Sequence, residues 1–155
     1  QLDRFMFNLV VDYLPENDEV AVVAQTTAGD PQPIQPIFSG KQIQAFQRVV
    51  RQVPIAEEVV RYAVRLAAAS RPQTENAPDF INEWISWGAG LRAAQNLVLG
   101  GKARALMDGR THVVPDDIRT LAKPVLRHRI LINYRAEAEG ITVESVVDKL
   151  LETNL

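Results

Sequence analysis

The chain has 155 residues, of which 46% are hydrophobic, which is enough for one domain with a sizeable core or for one domain and a piece of another. Its 17 lysines and arginines against 19 acidic residues leave a net charge of −2, so the overall charge argues against nucleic acid as a partner. The absence of cysteine excludes disulfides and thiolate metal sites, and no apolar run approaches about 18 residues, so we expect a cytoplasmic protein without a membrane span.

The first part of the chain predicts one strand followed by a helix. Residues 5–12 form an apolar, β-branched and aromatic run without a partner nearby, so we expect the edge of a sheet whose other strands lie outside this chain. Pro15 and the acidic residues after it predict a helix that ends near Gly29. Three prolines within residues 30–36 predict an irregular connection. Because the chain opens at Gln1 directly before the apolar run, we expect a piece of a longer protein.

The rest of the chain predicts amphipathic helices. Ser39 and Gln42 have the spacing of a capping box, in which each side chain bonds the other residue's backbone amide. Apolar residues at helical spacing predict helices over residues 40–52, 55–70, 90–108 and 143–151, and one from residue 115 to an interruption at Pro124. With the first helix, these elements predict a mainly α fold of about six helices in a small bundle.

The helix predicted over residues 90–108 has an arginine in its first turn. A cation is unfavourable at this positive end of the helix dipole, where the amide N–H groups are unpaired, unless an anion lies nearby. Gly88 and Gly90 leave the backbone before this turn uncovered, so the amides and the Arg92 guanidinium are placed to converge on a phosphate. A surface arginine that is solvated or paired with an acid explains the same residue.

The sequence lacks residues that a phosphate loop, a metal site or nucleophilic catalysis would require. The Gly-Lys pairs at residues 40–41 and 101–102 are followed by Gln and Ala, whereas a phosphate loop needs Ser or Thr for Mg²⁺. His112 and His128 have no partner at a metal-ligand spacing, so we expect no metal site. No motif for nucleophilic catalysis is present.

Three features keep more than one interpretation. Arg4 either pairs with Asp3 or Asp12 or projects across an interface. Trp84 and Trp87, three residues apart, are expected to pack into the core, and the alternative is a role in a binding pocket. A basic cluster towards the end of the chain is expected to form a solvated face or a contact with another domain. This cluster consists of Arg127, His128, Arg129 and Arg135.

Five segments in the same order resemble the C-terminal part of MoxR-family ATPases of the AAA+ superfamily. Residues 1–5, QLDRF, resemble the segment that ends the family's nucleotide-binding core, and residues 87–93, WGAGLRA, resemble its sensor-2 motif, GASPRA. Residues 109–118, GRTHVVPDDI, resemble GRxYVTPDDV. Residues 125–129 and 136–140 match the family's VLRHR and AEAEG.

The resemblance implies a helical lid domain over residues 15–155, with the sensor-2 helix at about 90–108. Residues 1–14 would be the terminal strand of an α/β core that is absent from this chain. Two departures from the family pattern remove helix caps, because Gly90-Leu91 replaces Ser-Pro and Val114 replaces Thr.

The resemblance also implies roles for individual residues. In the family, the sensor-2 arginine reaches the nucleotide phosphates from the lid, which implies this role for Arg92 in cis, with Gly88 and Gly90 beside it. The arginine of the LDRF segment is the finger supplied to the neighbouring subunit's nucleotide, which implies this role for Arg4 in trans.

The implied parent protein binds ATP and Mg²⁺ through its own upstream AAA+ core and forms a homo-oligomer, a hexamer. It would couple ATP hydrolysis to chaperone-like remodelling of client proteins or metal-cofactor insertion, alongside von Willebrand A-domain partners. The phosphate loop and the Mg²⁺-binding acids are not in this chain, so we expect it to be inactive as an ATPase by itself. The alternative is a non-enzymatic helical module that holds a protein partner through residues 30–36 and the basic cluster.

Overall fold

The computed structural model describes residues 1–29, 33–75 and 77–153. Within these ranges the helices are α1 (Glu16–Thr27), α2 (Gly40–Gln52), α3 (Glu57–Ala69), α4 (Asp79–Trp84), α5 (Leu91–Met107), α6 (Pro115–Leu126), α7 (Tyr134–Ala138) and α8 (Val143–Glu152). A short antiparallel sheet pairs β1 (Ile85–Trp87) with β2 (Leu131–Ile132). One turn of 3-10 helix, Leu2–Arg4, precedes α1 and is called the N-terminal turn below. The mainly α prediction is confirmed, whereas residues 30–32 of the predicted connection lie outside the described ranges.

The core is formed mainly by the elements from α3 to α8. Within it, α5 packs against both α3 and α6. Leu66 of α3, Leu97 of α5, Ile118 of α6 and Leu150 of α8 are fully buried. By contrast, α1 and α2 contribute no buried residue. Apolar burial, the main favourable term in folding, therefore comes from the part of the chain that follows α2.

Two helices predicted from local signals are confirmed. The capping box before α2 is formed, since the Gln42 amide donates to Ser39 Oγ at 3.3 Å and the Ser39 amide donates to Gln42 Oε1 at 2.8 Å. Helix α5 agrees with the predicted range within one residue at each end. Gly109 follows it with φ of 71°, a left-handed conformation that glycine adopts without strain.

The structure assigns no strand to residues 5–12, and because the expected partner strands lie outside this chain, the strand stays a prediction. A strand needs a ladder of backbone hydrogen bonds with a neighbouring strand. Here the Asn8 amide instead donates to the carbonyl of Pro124 at 2.8 Å. The first half of the run therefore lies beside α5 and the end of α6, where Phe7 is next to Gly100, whereas Leu9, Val10 and Val11 are exposed.

Helix α6 continues through Pro124, where an interruption was predicted. Because this proline lies in the last turn, the helix loses only one amide bond before it ends at Leu126.

The tryptophan pair also differs from the expectation. Trp84 is partly buried against Phe80, with ring centroids 5.7 Å apart, but Trp87 lies in β1 and is 70% exposed.

Candidate functional site

The loop that leads into α5 is fixed to the end of α3. Ala89 is fully buried, its amide donates to Ser70 Oγ at 2.9 Å, and its carbonyl accepts from Arg71 Nε at 2.7 Å. A Cβ on Gly88 would lie 2.2 Å from the Ser70 carbonyl oxygen. The missing side chain of Gly88 is therefore explained by close backbone packing.

Gly90 forms the open part of the same loop. It is the N-cap of α5 without a side-chain cap, and a Cβ built on it would meet no described heavy atom within 4 Å. A cleft of about 500 Å³ lies in front of it, between this loop and the N-terminal turn, lined by Asp3, Trp87 and His128 among others. The entrance of α5 is therefore accessible beside an exposed aromatic ring.

Arg92 projects from the first turn of α5 to Asp3, one of the residues that line this cleft. Its Nη1 donates to Asp3 Oδ2 at 3.1 Å, and the two side chains are 51% and 52% exposed. Ion pairs with this exposure contribute little free energy, about 0 to 1 kcal/mol, because water screens them. The Arg92 guanidinium is thus held by one exchangeable carboxylate and is half open to solvent.

Arg4 lies on the N-terminal turn, next to the residue that holds Arg92. Its guanidinium carbon is 5.2 Å from the centre of the Phe5 ring. Among the described residues it forms no salt bridge, whereas Asp3 pairs with Arg92 and Arg129, and Asp12 accepts from the Tyr13 amide. The pairings of Arg4 that the sequence suggested are therefore not formed.

Three members of the basic cluster, Arg127, His128 and Arg129, bind the N-terminal segment and are called the basic clamp below. Arg127 Nη1 donates to the Asn8 carbonyl at 2.9 Å. His128 Nε2 lies 3.1 Å from the Phe5 carbonyl oxygen. These residues therefore contact the first segment of the chain and are not simply a solvated face.

Arg129 makes the largest number of these contacts, and its side chain is only 1% exposed. Its Nε donates to Asp3 Oδ1 at 3.0 Å and its Nη2 donates to the Asp3 carbonyl at 2.8 Å. The carbonyls of Phe5, Met6 and Val125 accept from the same guanidinium. Arg135, the fourth member of the cluster, instead pairs with Glu83 and Glu139.

His128 is kept neutral by its surroundings. Burial lowers the pKa of the imidazole below its usual value, and the neighbouring charges of Arg129 and Arg127 act in the same direction. The hydrogen bond with Phe5 and the charge of Asp3 oppose this shift. The neutral ring can donate from Nε2 to the Phe5 carbonyl, while Nδ1 is buried without a partner among the described residues.

A second ionic cluster, centred on the fully buried Asp117, closes the start of α6. Asp117 Oδ1 accepts from Arg104 Nη1 and from Arg110 Nη2, both at 2.6 Å, and Oδ2 accepts from the Val114 amide at 2.9 Å. The bond with Arg110 holds the pKa of this carboxyl well below its usual range, although burial acts against it. Asp117 thereby satisfies the amide of Val114, whose own side chain cannot cap the helix.

The sequence by itself did not assign Asp3 and Arg129 to the site around Arg92. They are 126 positions apart, so no local spacing rule joins them. The available signal was the position of both residues inside segments that match the family, QLDRF and VLRHR. Among the described residues, no three His, Asp or Glu side chains come together as a group that could hold a metal ion. Within the described ranges, no helix is both long and apolar enough to span a bilayer.

Comparison with known proteins identifies the helical part of the chain. Residues 80–150 match the family model of the AAA lid domain. The chain is 29% identical over 153 residues to Chaperone MoxR1 of Mycobacterium tuberculosis, covering 99% of this chain and 40% of that protein. It is 28% identical over 152 residues to protein YeaC of Bacillus subtilis, covering 97% of this chain and 45% of that protein.

A solved structure agrees with these matches. The crystal structure of a candidate ATPase from Cytophaga hutchinsonii has a TM-score of 0.88 and 32% identity, and the similarity covers 97% of this chain and 46% of that one. The chain thus spans less than half the length of the relatives it matches. The lid match includes α5 with Arg92 and the basic clamp. The chain carries the AAA lid domain of a MoxR-like AAA+ ATPase family.

Proposed function

We propose that this chain is the lid part of a MoxR-like ATPase, in which Arg92 and Arg4 contact the phosphates of bound ATP. The observation that carries the proposal is the state of Arg92, a half-exposed guanidinium in the first turn of α5, held by a single half-exposed carboxylate. A buried, fully bonded arginine would be committed to the fold. Arg92 is available to exchange its partner.

Phosphate is a suitable partner for this position. A triphosphate carries more negative charge than the carboxylate of Asp3, and arginine recognises phosphate oxygens through paired N–H groups. The uncapped start of α5 at Gly90 adds amide groups and the positive end of the helix dipole. During hydrolysis the guanidinium would stabilise charge that develops on the transferred phosphoryl group.

Arg4 and Arg92 are proposed to serve the same nucleotide. Asp3, the direct neighbour of Arg4, bonds Arg92, which supports a common location for both arginines at one end of the molecule. A division with Arg92 acting in cis and Arg4 in trans would need them to face different nucleotides. The proposal therefore departs from the division that the family resemblance implies.

The activity of the complete protein belongs to the same proposal. ATP and Mg²⁺ would bind to an AAA+ core joined to this lid, and the complete protein would assemble as a ring, a hexamer. The name of the relative MoxR1, a chaperone, supports remodelling of client proteins. Metal-cofactor insertion and a von Willebrand A-domain partner are finer alternatives within this proposal.

The first prediction concerns ATP turnover by the complete protein that joins this lid to its nucleotide-binding core. Arg92→Ala and Arg4→Ala should each lower turnover by about tenfold or more, because each removes a charge that stabilises the transition state. Arg135→Ala is the matched control, since this exposed arginine pairs with Glu83 and Glu139 away from the cleft. Turnover that stays at the wild-type rate in both site variants would contradict the proposal.

Mixing the two variants tests which subunit supplies each arginine. If both arginines reach the nucleotide from the same subunit, every site in a mixed ring of Arg4→Ala and Arg92→Ala subunits lacks one of them, so turnover stays low. If one acts in cis and the other in trans, some interfaces in the mixed ring carry both, and turnover recovers. We expect no recovery.

The non-enzymatic interaction module is the second candidate. Exposed apolar side chains on α1 and α2, including Val20, Val23 and Phe46, favour a contact that the described residues do not supply. The basic cluster offers less support, because Arg127, His128 and Arg129 are occupied by residues 3–8 of the same chain. Wild-type turnover in both arginine variants would favour this module.

A further inference from the structure

A single carboxylate joins a buried arginine to the exposed arginine of the candidate site. Asp3 Oδ1 accepts from Arg129 Nε at 3.0 Å, and Asp3 Oδ2 accepts from Arg92 Nη1 at 3.1 Å. We infer that Arg129 is a positioning residue, which orients Arg92 through Asp3 and holds the backbone around Arg4. The consequence for ATP turnover rests on the proposed function, whereas the positioning itself can be measured without nucleotide.

The geometry of the guanidinium explains why an arginine is needed at position 129. All three of its nitrogens are used, because Nε bonds the Asp3 carboxylate, Nη2 bonds the carbonyls of Asp3 and Phe5, and Nη1 bonds those of Met6 and Val125. A lysine keeps the charge but has one nitrogen, which cannot span these acceptors. A buried charge without partners is costly, so Arg129 strongly favours the arrangement that supplies them.

The contacts of Arg129 Nη2 lie on both sides of Arg4. The two carbonyls that it bonds belong to Asp3 and Phe5, the residues directly before and after Arg4. The N-terminal turn is also closed by the Phe5 amide, which donates to the Leu2 carbonyl at 3.0 Å. One buried guanidinium therefore determines where the backbone of Arg4 lies and where the Asp3 carboxylate meets Arg92.

This arrangement separates a permanent contact from an exchangeable one. The contact of Asp3 with Arg129 is shielded by the burial of Arg129, but its contact with Arg92 is half exposed. An anion that binds Arg92 can replace Oδ2 while Oδ1 and the Asp3 carbonyl stay bonded to Arg129. The N-terminal turn, and Arg4 with it, would keep its position during that exchange.

The second prediction measures positioning by NMR on the 155-residue chain without nucleotide. Arg129→Lys should increase the mobility of the Arg92 Nε–H group and should raise the hydrogen-exchange rate of the Phe5 amide. Asp3→Ala should free Arg92 alone, because the backbone bonds of Arg129 remain. Arg127→Lys is the matched control, since Arg127 belongs to the same motif but contacts Asn8 and Glu144, and it should leave the Arg92 signal unchanged.

Each outcome decides the inference. Unchanged mobility of Arg92 in both Arg129→Lys and Asp3→Ala would overturn it. Equal effects of Arg127→Lys and Arg129→Lys would also overturn it, because they would indicate a general loosening. If Arg129→Lys fails to fold, the mobility of Arg92 in Asp3→Ala decides whether Arg92 is held through Asp3. The exposed Asp3 side chain can be removed without opening the core.

The complete ATPase supplies a separate readout. Arg129→Lys should lower kcat by about tenfold with little change in KM for ATP, because the phosphate-contacting groups are present but poorly oriented. Arg135→Lys, outside the basic clamp, should stay near the wild-type rate. If Arg92→Ala leaves turnover unchanged while Arg129→Lys still mobilises Arg92, the proposed function fails and the positioning role stands. If turnover falls in Arg92→Ala but Arg92 is equally ordered in all variants, the positioning role fails alone.

Discussion

Asp117→Asn is expected to lower the free energy of unfolding by about 3 kcal/mol at pH 7, because it leaves two guanidinium groups without the charge that compensates them. The carboxylate is fully buried, accepts hydrogen bonds from both Arg104 and Arg110, and also accepts from the amide of Val114, the residue directly before α6. An amide side chain can accept only part of these bonds and turns donors towards the arginines. Urea denaturation followed by circular dichroism measures the change.

Asp116→Asn is the matched control for this experiment. Asp116 is the preceding residue, but its side chain is 71% exposed and its contact with Arg104 is longer, at 3.4 Å. We expect a change within about 0.5 kcal/mol, as for ordinary surface substitutions. Similar losses in the two variants would show that the buried charge cluster is not the source of the stability.

The contribution of Asp117 should depend on pH in a defined direction. Its native pKa lies below the ordinary value of 3.8, so the unfolded chain binds its proton first as the pH falls. The stabilisation is therefore fully present well above pH 3.8 and is lost as the pH falls below it. The difference between wild type and Asp117→Asn should shrink in acid, and a difference that stays constant down to pH 3 would contradict this assignment.

Gly88→Ala is the second substitution with a large expected effect, a loss of about 3 kcal/mol in the free energy of unfolding. The added Cβ would lie 2.2 Å from the Ser70 carbonyl oxygen and 2.6 Å from Arg71 Cα, and both are backbone atoms that no side-chain rotation can move away. The loop must shift, which breaks the bonds that Ala89 makes with Ser70 and Arg71. Thermal and urea denaturation measure the loss.

Gly90→Ala gives the matched comparison two residues further on. A Cβ there meets no described atom within 4 Å, and φ of −79° suits alanine. Alanine stiffens the unfolded chain but is a weaker N-cap than glycine, so these small effects oppose each other and the net change should stay within about 0.5 kcal/mol. Equal stability of the two variants would mean that the α3 contact at Gly88 is unimportant.

The helices were largely predictable because their signals are local. The capping box of Ser39 and Gln42 and the glycine after α5 act within four residues of the helix ends that they define. The errors arose where distant residues decide. Trp87, for example, pairs with Leu131 in a two-stranded sheet that no local sequence pattern predicts.

The candidate site was predictable only in part. The resemblance to sensor-2 and LDRF segments drew attention to Arg92 and Arg4, and the dipole argument gave a physical reason to ask what Arg92 faces. The roles of the two glycines could not be separated from sequence, because both occur in one short loop. The structure distinguishes the two roles. Gly88 packs against the backbone at the end of α3, and Gly90 faces the cleft.

The amino-acid sequence by itself determined the mainly α class, most helix boundaries and the similarity to the MoxR-family lid, because periodicity, caps and motifs are properties of short segments. Only the tertiary structure decided that Asp3 lies between Arg92 and Arg129. These three residues come from the N-terminal turn, the start of α5 and the chain after α6, and they meet because burial of the core brings those ends together. A hydrogen bond between residues 126 positions apart depends on how the core helices between them pack, which no local pattern encodes.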